Sequence, residues 1–94
     1  MITISKSEFE RICAGIAADK NSIIEHNPIG SDNEVLLWML LNCLNSYLSL
    51  SDEEAPCFKG VPDERTYREA ILFVLKKRAA DGFDPRPIID NLLT

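Results

Sequence analysis

The chain has 94 residues, 46% hydrophobic and 27% charged, with five prolines and four glycines. A chain of this size buries about 64% of its unfolded surface, enough for one small core and too little for a catalytic domain beside a separate cofactor domain. Ten lysines and arginines against fifteen aspartates and glutamates give a net charge of −5, which repels phosphate backbones and anionic membrane surfaces and disfavours generic nucleic-acid binding.

The first element is a helix over 5–26. Ser5 and Glu8 have the spacing of a capping box, and Ile4 and Phe9 fall where a hydrophobic staple closes. Phe9, Ile12, Cys13, Ile16, Ala17, Ile23 and Ile24 then form a helical apolar stripe. Pro28 drives Asn27 out of the helical region and ends it. After the turn Asn27-Pro28-Ile29-Gly30, Ser31 or Asp32 caps a second helix over 32–50. Its run from Val35 to Leu41 is apolar on almost every side, the mark of a central helix contacted around most of its circumference. The uncharged stretch 35–50 falls short of the about 20 mostly apolar residues that a membrane span requires. Glu34, Trp38, Asn42, Asn45 and Ser49 are spaced to share one face of this helix.

Residues 51–62 read as a long loop, broken by Pro56, Gly60 and Pro62. A third helix is expected over 63–81, capped by Asp63 and stopped by Asp81-Gly82, with Gly82 in the left-handed position. Asp84-Pro85 opens a short last helix over 85–93. Charge is polarised along this half. Asp52, Glu53, Glu54, Asp63 and Glu64 oppose only Lys59, while Arg65, Arg68, Lys76, Lys77 and Arg78 oppose only Glu69. Acids at the start of a helix and bases at its end complement the helix dipole. No segment alternates with period two. The expectation is therefore an all-α, compact four-helix bundle-like domain spanning 1–94 as a single unit, its last helix short.

The sequence is poor in chemical motifs. Cys13, Cys43 and Cys57 are odd in number and widely spaced, and the start lacks the blocks of a signal peptide, so a reduced cytoplasmic setting is expected. No Cys-x-x-Cys or paired histidine offers two metal ligands on one turn. The glycines are isolated, with no phosphate-cradling loop, so no cofactor, metal or catalytic residue is assigned.

Two constellations remain. Glu25 and His26, with Glu34 and Trp38, are a candidate small-ligand pocket or minor active site, since His26 is the lone imidazole and suits acid–base work near neutrality. Trp38, Asn42 and Asn45 on the second helix, Leu72 and Phe73 on the third, and the acidic Asp52, Glu53 and Glu54 are a candidate interaction surface. Tryptophan anchors interfaces, and neutral amides bond a partner without desolvating charge. The function expected is a non-catalytic protein-contact module that self-associates as a homodimer and meets a basic protein partner through its acidic loop. The alternatives are the ligand pocket and, more weakly, nucleic-acid contact through Arg65, Arg68 and Lys76.

Overall fold

In a computed structural model, which describes residues 2–94, five helices follow one another: α1 (Lys6–Ala18), α2 (Lys20–His26), α3 (Asp32–Leu48), α4 (Glu64–Arg78) and α5 (Arg86–Leu93). The all-α class is as expected, with no strand among the described residues. Three helices start on the residues whose chemistry calls for it. The Ser5 hydroxyl accepts the Glu8 N–H at 3.2 Å, the Ser31 hydroxyl accepts the Glu34 N–H at 3.2 Å, and the Asp63 carboxylate accepts the Thr66 N–H at 2.8 Å.

Two boundaries differ from expectation by more than two residues. The helix expected over 5–26 breaks at Asp19, whose backbone (φ −96°, ψ 9°) leaves the helical region while its N–H reaches the carbonyls of Gly15 and Ala17. Aspartate favours such local backbone arrangements over a helix interior. The break lets α2 turn onto α3, where Ile23 packs against the core. The helix expected to run to residue 81 stops at Arg78, and Gly82 (φ +63°) lies in the following loop instead. The cause is tertiary: the Ile4 N–H donates to the Arg78 carbonyl and the Ala80 N–H donates to the Ile4 carbonyl, both at 2.9 Å. This single parallel bridge between Ile4 and Ala79 replaces the next helical turn and fully buries Ile4. The Asp81 carboxylate then accepts the Lys6 N–H at 3.0 Å, adding a second cap to α1.

α3 is the centre, as its composition requires. Val35, Leu36, Leu37, Leu40, Leu41, Leu44 and Leu48 are all buried. α4 runs parallel to it: Asn33 reaches Glu64 at one end, while Leu50 meets Val74 and Arg78 at the other. A parallel pair needs a connection that travels back along the first helix, here about 25 Å for 17 residues. That is why residues 49–63 form so long a crossover. The edge-to-face pair of Phe58 and Tyr67, centroids 5.3 Å apart, pins the crossover to α4. α1 lies antiparallel to α3, with Glu8 beside Tyr47 and Gly15 near Asn42 and Cys43. α5 packs on α1 and α3 and is tied to α4 by the Arg68–Asp90 ion pair at 2.6 Å. Phe83, ahead of α5, stacks on Phe9 at 5.8 Å.

Candidate functional site

The crossover brings the acidic loop onto the last turns of α4. Glu54 forms an ion pair with Arg78, and the Ser51 hydroxyl donates to the other Glu54 oxygen at 3.2 Å. The Ser51 carbonyl accepts the N–H groups of Glu54 and Ala55 at 2.9 and 2.8 Å, a tight turn that leaves Asp52 and Glu53 exposed. Arg78 is only 5% exposed, a buried cation whose charge is met by the loop. Beside it Phe73 is 58% exposed, with the Lys77 ammonium 4.5 Å from its ring centre. Leu50, Glu53, Glu54, Phe73, Lys77 and Arg78 line one open cleft of about 220 Å³. The arrangement offers an apolar ring among two carboxylates, Glu53 and Glu54, and two cations, Lys77 and Arg78, a geometry suited to contact with a protein surface.

The expected interaction surface is thus divided. Phe73, Glu53 and Glu54 come together, and Asp52 sits on the same turn. Leu72 is half-buried on another side of α4, in a cleft with Phe83 and Pro85. Trp38 is half-buried against the core, and Asn42 is exposed. Asn45 is half-buried, and its side-chain carbonyl oxygen is buried with no hydrogen-bond partner. Sequence reasoning missed Arg78 and Lys77 as cleft residues. The signal for Arg78 was present: it follows Tyr67, Ile71 and Val74 at intervals of four, three and four, on the buried arc of α4.

Glu25 and His26 are exposed at the end of α2, where His26 Nδ1–H donates to the Ser22 carbonyl at 2.8 Å, a bond within its own helix. Glu34 is half-buried, its carboxylate lying in the space beside Gly30 that a Cβ there would share. The clefts between α1 and α5, α1 and α3, α4 and the crossover, and α4 and α5 are lined by other residues. Of the cationic side chains on α4, Arg65 bonds Glu69 at 3.1 Å and Arg68 bonds Asp90.

The thiols differ by environment. Burial, then the nearby Cys43 and Glu10, push the Cys13 thiol up to about 12. Cys43 is also raised by burial, while Cys57 lies exposed in the crossover. The Tyr47 hydroxyl donates to Glu8, which raises its pKa by stabilising the protonated form. Among the described residues no cluster of three or more His, Cys, Asp or Glu side chains is placed to hold a metal ion, and no helix is long and apolar enough to cross a membrane. Compared with known proteins, the chain matches no protein-family model, no curated protein and no solved structure.

Proposed function

We propose that this chain is a non-catalytic protein-contact module that self-associates and offers its acidic edge to a basic protein. The observation that carries the proposal is the convergence of Phe73, more than half exposed, with Glu53 and Glu54 in one cleft. Exposed aromatic anchors concentrate binding energy at interfaces, and Asp52 and Glu53, left facing solvent while Glu54 is matched by Arg78, are the charges that draw a basic partner. The net charge of −5 favours encounter with a basic partner over an acidic one.

A ligand pocket at Glu25 and His26 is the less favoured reading, because both side chains are exposed and His26 is engaged with Ser22. Phosphate binding through α4 is disfavoured because Arg65 and Arg68 are already matched by carboxylates.

The test is cross-linking inside the cells that make the protein, with a photoreactive phenylalanine analogue in place of Phe73 and, as a control, in place of Ile29. The expected result is one discrete adduct from position 73, containing a protein of basic isoelectric point and weakened by Glu53→Lys. An equal adduct pattern from both positions, or none from position 73, overturns the assignment of this edge.

A further inference from the structure

We propose that a second copy of the chain packs antiparallel against the solvent face of α1, across a two-fold axis at Gly15, seated in the open groove between α1 and α3. This deepens the self-association reading above, on which it rests, by naming the surface. The groove has a volume of about 550 Å³ and is lined by Arg11, Ile12, Gly15, Asn42, Cys43 and Ser46, with Tyr47 at one end. Arg11 is its one formally charged lining residue. A second groove, of about 390 Å³, opens on the other side of α1, between it and α5, so the helix stands as a ridge between two hollows. Ridges seated in grooves are the ordinary way helices pack.

Gly15 has no explanation within the chain. It lies inside α1, where glycine weakens a helix relative to alanine, and a Cβ built there meets nothing within 4 Å. No neighbour in the monomer requires the missing side chain. A second helix crossing at this point does, because bare backbone permits the closest approach of two axes.

Charge identifies that second helix as another α1. Arg11 and Asp19, the latter the residue that ends α1, lie four residues, about one turn, on either side of Gly15 with opposite signs. A two-fold at Gly15 sets residues on the Gly15 face of one copy opposite their mirror positions in the other, so Arg11 of one copy meets Asp19 of the other, twice over. A parallel, in-register pairing instead sets Arg11 against Arg11 and Asp19 against Asp19. Arg11 and Asp19 are both exposed, and neither side chain has an ion-pair or hydrogen-bond partner among the described residues. Asn42 and Ser46, facing this ridge from α3, are uncharged and hydrogen-bond a partner without charge desolvation.

The experiment is solution mass by light scattering and sedimentation equilibrium across a hundredfold dilution, on the wild type, Gly15→Gln, Arg11→Asp, Asp19→Arg, the double exchange R11D/D19R, and Phe73→Ser. The wild type is expected near twice 10.6 kDa when concentrated, dissociating on dilution. Gly15→Gln is expected to stay at 10.6 kDa while melting at a higher temperature, since glutamine is the better helix former. Each single charge reversal is expected to weaken the dimer about tenfold or more, and the double exchange to restore it. A wild type that is monomeric up to about 1 mM overturns both this inference and self-association. A dimer that survives Gly15→Gln but is lost in Phe73→Ser overturns this inference alone and moves the contact to the α4 edge. Failure of the double exchange to restore what the single reversals lose overturns the two-fold register.

Discussion

Asp63 and Asp84 show how single residues tie this fold to pH. Hydrogen bonds from the Thr66 hydroxyl and N–H hold the Asp63 carboxyl below the ordinary carboxylate range, and Arg86 does the same for Asp84. A depressed folded pKa means that the unfolded chain binds more protons. The stabilisation is therefore present above about pH 4 and is lost as pH falls through the folded values. Thermal melts followed by circular dichroism are expected to show a falling midpoint between about pH 5 and about pH 2. Asp63→Asn, which keeps a capping oxygen, is expected to flatten part of that slope. Ser49, which ends α3, takes φ +49° and ψ +48°, a left-handed conformation that strains a side chain. Ser49→Gly is expected to raise stability by up to about 1 kcal/mol in urea unfolding. The thiols divide just as sharply. A neutral maleimide is expected to label Cys57 first, Cys43 more slowly and Cys13 only as the protein unfolds, in an order that peptide mass spectrometry reads directly.

Among the elements, the crossover depends on one ion pair. Arg78 lies on the buried arc of α4 and its guanidinium is met by Glu54, itself 46% exposed, so the pair is half inside and half in water. Removing the carboxylate's charge leaves a buried cation without its counter-ion. Glu54→Gln is expected to cost about 1–3 kcal/mol, towards the lower end because water reaches the Glu54 side. Replacing both partners, as in Glu54→Gln with Arg78→Met, is expected to cost less than Glu54→Gln alone, since no charge is then stranded. A double-mutant cycle in urea distinguishes this from a loop held only by Phe58 on Tyr67, in which the two changes add. The same pair explains why the acidic loop and the basic end of α4 are not two free surfaces. Part of their charge is spent on each other, and Asp52 and Glu53 are left facing solvent.

At the scale of the molecule, the radius of gyration of 12.6 Å matches the about 12.4 Å of a compact chain of this length. The accessible surface is 5823 Å², slightly above the roughly 5,500 Å² typical of a monomer of this mass. Grooves on both sides of α1 are the kind of relief that leaves such surface in water. A domain of this size is stable by only about 5–14 kcal/mol. Leu40, fully buried at the centre of α3, is therefore expected to take a large share of that margin when cut to alanine, about 2–5 kcal/mol in urea unfolding. If two copies pair across α1, the melting midpoint of the wild type rises with protein concentration while that of Gly15→Gln stays fixed, because association stabilises by mass action.

The sequence by itself determined what local chemistry dictates. Capping residues placed three helix starts within a residue, apolar periodicity marked α3 as the centre, and the absence of alternation excluded a sheet. Its candidate site was legible in part, since Phe73, Glu53 and Glu54 were singled out without any sign that they share a cleft. Only the tertiary structure decided the rest. α4 ends at Arg78 because Ile4, more than seventy positions away, captures its carbonyl. The loop is long because α3 and α4 run parallel. Arg78 is a cleft residue because the crossover delivers Glu54 to it. Hydrogen bonds within one helical turn and the spacing of apolar side chains are properties of neighbours in sequence, whereas helix direction and charge pairing are settled by which distant surfaces exclude water together.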